Sequence, residues 1–347
     1  MLTIRPFVVS TGVRLKINTR QSGWSLKSSG SHAAPTNPDE PVSSRHSVTT
    51  GPSHLYGTNE MVSARDSKEL PAWLSGAIVA GVGVCLVGME IFRALRRERR
   101  EPKVVHHARN LALASGALLV MQWVEKPFAM RLSARAERLE LGLAPRLTKS
   151  RTGRLLLSVI LLDYGLYVWH VLTHKVPLLW RFHLVHHVDL DLDASTAVRF
   201  HFGEMLLSVP WRLAQIRVVG ASPRALSIWQ TFLLVSILFH HSNVRLPVKL
   251  ERFLSYIIMT PRLHSTHHEL RIENTNSNWS SGLSIWDLLH GTYKWQRAQA
   301  PIGVPAFQDV ADVALPRCIL LPFEPETGRE HSQIGFVRQV APRPFMQ

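Results

Sequence analysis

Cysteine is almost absent: Cys85 and Cys318 are the only two in 347 residues. That excludes a disulfide scaffold and a thiolate-bound zinc or iron–sulfur site, so any metal must be held by nitrogen and oxygen. Acid is scarce as well, with 25 Asp and Glu against 40 Lys and Arg and a formal net charge of +15. Such an excess fits nucleic acid, anionic lipid headgroups or the positive-inside bias of membrane proteins. The arginines crowd beside apolar runs, which favours the membrane, and no nucleic-acid partner is expected. No His-Glu-x-x-His motif occurs, which argues against a zinc hydrolase of that type, and there is no internal repeat. Mean hydropathy is +0.02 although 19% of residues are charged, so the apolar residues must be concentrated locally.

Residues 1–70 read as a basic N-terminal extension. Arg5, Arg14, Lys16, Arg20 and Lys27 precede the first acid, Asp39, and Pro35, Pro38, Pro41 and Pro52 interrupt any long helix. Two readings stand, an organellar transit peptide and a disordered basic tail; a secretory signal is excluded because no apolar stretch follows the charges. Residues 71–150 hold transmembrane helices and a basic loop. Trp73–Met89, extended by Ile91 and Phe92, is long enough for one crossing. Arg93, Arg96, Arg97, Arg99, Arg100 and Lys103 follow at once and place that end on the inner side. Leu111–Val124 is shorter and lies between two basic flanks, which a helical hairpin that dips in and returns would reconcile. Leu155–Trp169 runs into His170, and Leu226–Phe239 into His240. Residues 203–224, with Pro210 and Gly220 as breaks, are expected to lie in the membrane interface. Residues 151–295 form the histidine-bearing domain, and 296–347 a peripheral tail.

Eighteen histidines are present, and twelve fall between His170 and His290. Most form three clusters: His170-x-x-x-His174, His183-x-x-His186-His187 and His264-x-x-His267-His268. Imidazole is the commonest neutral metal ligand, and this many converging exceeds what one ion needs. Asp163, Tyr167, His170 and His174 stand at i, i+4, i+7 and i+11 on one helix face. A carboxylate so deep in an apolar segment needs a partner, and Asp163 is read as the acceptor that fixes the tautomer of a ligand histidine. His183 and His187 share a face, while His186 and His187 diverge by about 100°, which suits two ions. Of His240 and His241, the latter is the expected ligand. His201 either joins the ligands or pairs with Glu204. His290, His106, His107 and the N-terminal histidines are expected to be solvated or structural.

These three boxes, in this order, resemble the fatty acid hydroxylase/sterol desaturase superfamily of integral membrane di-iron enzymes. The likeness extends to Pro177–His183, Ser195–His201, His241–Pro247, Thr260–His264, Trp286-Asp287 and Gly291-Thr292-Tyr293. It covers about residues 155–295. Three residues within the first box resemble the sterol desaturase branch more than carotenoid hydroxylases or acyl desaturases. His290 and His240 depart from the family pattern without removing a ligand.

The resemblance implies an all-α, multi-span helical membrane protein with histidine clusters at the cytosolic side. It implies two Fe ions held by His170, His174, His183, His186, His187, His241, His264, His267 and His268, with O2 as co-substrate. The expected activity is hydroxylation or desaturation at an unactivated C–H bond of a sterol or fatty acyl-type lipid. No haem or flavin motif is visible, so electrons would come from an external donor such as cytochrome b5 or ferredoxin with its reductase. An endoplasmic reticulum or organellar membrane is the expected location. A histidine-rich zinc or metal transporter and a metal-binding pseudoenzyme are the rival readings. Transporters bind near the bilayer midplane, whereas these clusters lie at the ends of apolar segments.

Overall fold

The computed structural model describes residues 69–297 and 299–324. Both readings of the N-terminal extension fall on residues outside that range. Among the described residues no β-strand forms, only isolated bridges such as Ala94–Val244 and Glu269–Ile302, so the fold is all-α as expected.

Helix α1 (Ala72–Phe92) takes up the first apolar run whole. Only Leu86 in it is buried, while Trp73, Val84, Ile91 and Phe92 are exposed. So much bare apolar surface suits lipid rather than water. Helix α2 (Lys103–Val120) continues through a π-turn (Met121–Glu125) into α3 (Lys126–Arg138). The expected hairpin is not formed there; the path stays helical, and Glu125 in the π-turn meets Arg212 at 3.5 Å.

After the short α4 (Leu143–Leu147), α5 (Arg151–Lys175) starts where the Ser150 hydroxyl accepts from the Gly153 N–H, satisfying one orphan donor of the first turn. Helices α1 and α5 are both long and apolar enough to cross a membrane. Val176 ends α5, and Pro177 opens α6 (Pro177–His187); a proline at the first helical position gives up an N–H that had no partner anyway.

Helix α7 (Phe202–Val219) packs on α2, α3 and α5. Trp211 Nε1 donates to the Gly165 carbonyl and Gln215 Nε2 to that of Leu162. Gly220 stops the helix in the left-handed region (φ 76°) as its sequence suggested. Pro210 does not break it. The carbonyl four residues back, which loses its N–H partner, is that of Leu206, half exposed on the outward side.

Helix α8 (Pro223–His241) packs against α1 and α5, with Ser75 and Thr231 hydroxyls 2.6 Å apart across the α1 contact. Four short helices follow: α9 (Val248–Leu254), α10 (Pro261–His267), α11 (Ile272–Thr275) and α12 (Ile285–Leu289).

The segment 299–324, including α13 (Leu315–Leu320), is not peripheral. Val304, Phe307, Val313, Cys318 and Leu321 are buried in one cluster with Trp180, Leu184, Val185 and Val188. Its apolar residues are separated by proline and polar positions, so no long run advertises them, yet they cover the outer face of α6. Leu184 is fully buried in that cluster. Leu184→Ala is expected to destabilise the protein by about 2–5 kcal/mol through lost transfer energy plus the cavity left behind. Thermal unfolding in detergent would show this as a lowered midpoint, and an unchanged midpoint would contradict the packing.

Candidate metal centre

Four helix ends meet at one place. Helix α5 brings His170 and His174, one turn apart on one face, and α6 brings His183, His186 and His187. Helix α8 ends on His240 and His241, while α10 carries His264 and His267, with His268 at its C-cap. The histidines of α5 and α8 sit toward the C-terminal ends of their helices, while α6 and α10 are short helices that carry theirs along one to three turns.

The side chains sort into two groups. His170, His174, His183, His187 and His267 offer ligand atoms that all lie within 4.8 Å of one another, and so do those of His186, His241, His264 and His268. These nine are the nine expected from the sequence. The groups are joined by stacking of His187 on His268, with ring centroids 4.4 Å apart. His240 stays outside both and lies against the His264 ring. His201 also stays outside and does not pair with Glu204. Its Nδ1 accepts from the Gly203 N–H, capping α7, and its Nε2–H donates to the Ile319 carbonyl.

The outward nitrogens of five of the nine are held. Nδ1–H of His170 donates to the Trp279 carbonyl (2.6 Å), that of His183 to Glu204 (2.9 Å) and that of His267 to the Ser277 carbonyl (2.8 Å). His186 donates likewise to the Arg199 carbonyl and His241 to that of Ile237. These acceptors assign the proton to Nδ1 and leave a lone pair on each Nε2. The Nε2 atoms of His170, His183, His187 and His267 are buried without a hydrogen-bond partner. In the second group His186 and His241 bring two Nε2 lone pairs to 3.1 Å, and His241–His264 and His264–His268 contacts are equally short. Nitrogens of four imidazoles around a tetrahedral ion, at a metal–nitrogen length of ~2.0–2.1 Å, would stand ~3.3 Å apart. Facing lone pairs repel unless a cation lies between them. The donor set therefore fits two first-row transition ions and not magnesium or calcium, which prefer oxygen.

Asp163 plays a different part from the one expected. It touches no histidine. Its Oδ2 accepts from the Leu283 N–H (3.0 Å) and the Trp286 indole (2.8 Å), and Gly282 lets the loop pass directly over the carboxylate, where a Cβ would collide. His170, the ligand candidate nearest to it on the same helix face, uses the backbone of Trp279. Asp163 thus pins the loop that supplies the carbonyl. Asp287 pins it from the other end by accepting from the Trp279 and Ser280 N–H groups. Tyr167, on the same face, bonds Thr292. Sequence reasoning missed Glu204 as the acceptor for His183, and gave Asp287 no role.

It also missed Asp189-Leu-Asp191-Leu-Asp193, a run of acid in a basic chain directly after α6. Asp189 is buried against His106 (3.0 Å), Arg109 (3.4 Å) and Arg199 (3.7 Å). Burial would raise its carboxyl, but Arg199 and His106 outweigh it and hold it well below the usual range. Burial likewise opposes charge on His106, yet Asp189 and Asp193 push it up to about 10. His106 is thus structural, and His107 is partly buried against Asp193, both within the expectation that they are solvated or structural.

A fatty acid hydroxylase family profile matches residues 155–292, the stretch that carries all nine histidines. The chain is 33% identical over 141 residues to an ornithine lipid hydroxylase of Rhizobium tropici, covering 40% of this chain and 41% of that protein. It is 26% identical over 142 residues to an alkylglycerol monooxygenase of Homo sapiens, covering 41% and 31%. It is 28% identical over 234 residues to a cholesterol 25-hydroxylase of Homo sapiens, covering 63% and 82%. The chain thus spans less than half the length of the first two. No solved structure matches it.

The ligand set resists protonation. Burial pushes His186, His187, His264 and His268 well below the ordinary imidazole range, and neighbouring histidines act in the same direction. Burial takes His267 down to about 3, although the Ser277 carbonyl acts the other way. The unfolded chain binds these protons near pH ~6.5. The metal-free protein is therefore expected to keep its stability above that pH and to lose it progressively as the pH falls toward about 3. Melting curves of chelator-treated protein would show the midpoint dropping with acidification; a midpoint flat between about pH 7 and pH 4 would contradict it.

Proposed function

The chain belongs to the fatty acid hydroxylase family through residues 155–292, and on that premise we propose that it is an O2-dependent lipid hydroxylase with a di-iron centre. The observation that carries the reading is the sorting of nine buried imidazoles into groups of five and four with their free nitrogens turned inward. Hydroxylation is preferred to desaturation because the relatives are named hydroxylases and monooxygenases. Their substrates, an ornithine lipid, an alkylglycerol and cholesterol by name, share a long apolar body, and a lipid of that kind is the proposed substrate here.

In this reading His170, His174, His183, His187 and His267 hold one ion, and His186, His241, His264 and His268 the other. The pair of ions, when bound, would supply the chemistry that inserts one atom of O2 into a C–H bond and releases the other as water, using two electrons from outside. The protein's own contribution is placement. Glu204 and the carbonyls of Trp279, Ser277, Arg199 and Ile237 hold the Nδ1 protons, so that every one of those rings presents a lone pair in a fixed direction. Burial of all nine rings keeps water away from the site, which limits side reactions of the oxidant. The donor of electrons is proposed to be cytochrome b5 or a ferredoxin with its reductase, and the location an endoplasmic reticulum or organellar membrane.

Detergent-purified protein is expected to hold about two iron ions per chain, one for each histidine group. His186→Ala and His267→Ala should each lose metal and all incorporation of labelled O2 into lipid. Full activity in either variant, measured by lipid mass spectrometry, would sink the di-iron assignment. Glu204→Gln keeps the shape but weakens the acceptor for His183, and should lower metal affinity ~10–100-fold; an unchanged affinity by competitive chelation would show that Glu204 does not orient its ring.

A further inference from the structure

A pocket of about 530 Å³ opens where α1 ends. Its floor is built from two segments far apart in sequence. The Arg245 N–H donates to the Arg93 carbonyl and the Leu95 N–H to that of Asn243, around the Ala94–Val244 bridge. The Asn243 side chain ties the same segments by accepting from the Arg96 N–H and donating to the Arg96 carbonyl. Antiparallel pairing therefore sets Arg93 directly opposite Arg245. Arg97 and Lys103 line the same pocket.

These four cations make no side-chain hydrogen bond or ion pair among the described residues. The two acids in the lining are already engaged. Asp193 is held by Arg99, His106 and His107, and Glu90 Oε1 accepts from the Asn243 and Ala194 N–H groups. Like charges facing each other across a strand pair are unfavourable. Positive residues flanking a span follow from topology, and Arg245 lies just past the end of α8 on the same side as Arg93; topology alone does not require the backbone pairing that sets the two opposite each other. An anion between them would remove the repulsion, and guanidinium groups match phosphate oxygens in pairs.

The rim says which anion. Ile91 and Phe92, at the foot of the lipid-suited helix, are 65% and 86% exposed beside the arginines. An apolar rim over a basic floor, at the level where a span leaves the bilayer, has the layout of a phospholipid at the interface. We propose that this pocket binds the phosphate of an anionic phospholipid headgroup, with Arg93, Arg97, Lys103 and Arg245 around the phosphate and the chains running along α1. The site is separate from the histidine groups, and its test needs no turnover.

The full-length protein in neutral detergent would be titrated with phosphatidic acid, phosphatidylcholine and inorganic phosphate, with binding read by native mass spectrometry. Phosphatidic acid should bind well ahead of phosphatidylcholine, and Arg97→Gln/Arg245→Gln should weaken it at least about tenfold. Arg131→Gln/Arg135→Gln removes two exposed cations from α3 and should change little. Equal loss in both double variants would reduce the effect to overall charge and overturn the proposal. So would displacement of the lipid by inorganic phosphate alone, which would make free phosphate the ligand. Lipid binding left intact in Arg97→Gln/Arg245→Gln, with binding of acidic cytochrome b5 lost, would instead assign the pocket to a protein. The substituted side chains are exposed and unpaired, so folding should survive; if the double variant fails to fold, Lys103→Gln alone should still weaken phosphatidic acid, and full binding there would refute the site.

Discussion

Nine imidazoles buried side by side are held neutral by that burial, and to hold metal they would each have to aim a lone pair inward. A single protonated ring would place a charge in a dry pocket among its neighbours, and a single flipped ring would replace an acceptor with a donor. Much of the structure around the centre meets this demand. The acceptors for Nδ1 are mostly backbone carbonyls at helix ends and in loops: Arg199, Ile237, Ser277 and Trp279. Those carbonyls stay in place only because their segments are pinned. Asp163 and Asp287 clamp the 279–287 loop from its two ends, and Asp189 fixes the chain just beyond α6.

Helix α5 shows how that demand meets the membrane. It is one of the two helices apolar enough to cross a bilayer, yet its inner face carries Asp163, His170 and His174, all buried. Helix α1, with almost nothing buried, does not share the load; its surface serves the lipid. The protein thus divides the work between a helix that meets the bilayer and one that meets both the bilayer and the site. The histidines of α5 and α8 lie toward the C-terminal ends of these helices, at the edge of their apolar stretches.

The histidine groups were legible in the sequence because their constraint is local. Spacings of three and four residues put rings on one helix face, and nothing elsewhere in the chain can alter that. The apolar runs of α1, α5 and α8 were legible for the same reason. What surrounds the ligands was not. A backbone carbonyl leaves no mark in a sequence, so four of the five acceptors for the histidines could not be read. Glu204 was visible but lies three residues from His201 and twenty-one from His183, and local pairing was the wrong guide. Asp163 was placed on the correct face, but its partner depended on a loop 120 residues later. The role of residues 299–324 was hidden because scattered apolar residues between prolines carry no periodicity, although they complete the core behind α6.

The basic balance of the chain is also resolved by position. Arg99, Arg109 and Arg199 are taken inside and paired with Asp189, Asp191, Asp193 and Glu101. A buried cation with its acid removed is strongly destabilising, so these pairs are fixed parts of the scaffold around α6. Acid is in short supply, and most of it near the site is consumed in this way. Arg93 and Arg97 at the end of α1 have no side-chain partner among the described residues. The segment that carries Arg245 is fixed to the end of α1 by the same Asn243 clamp that follows His241 in the sequence. One segment thereby links the orientation of His241 to the shape of the basic pocket, so that the histidine centre and that pocket are built on a common piece of backbone.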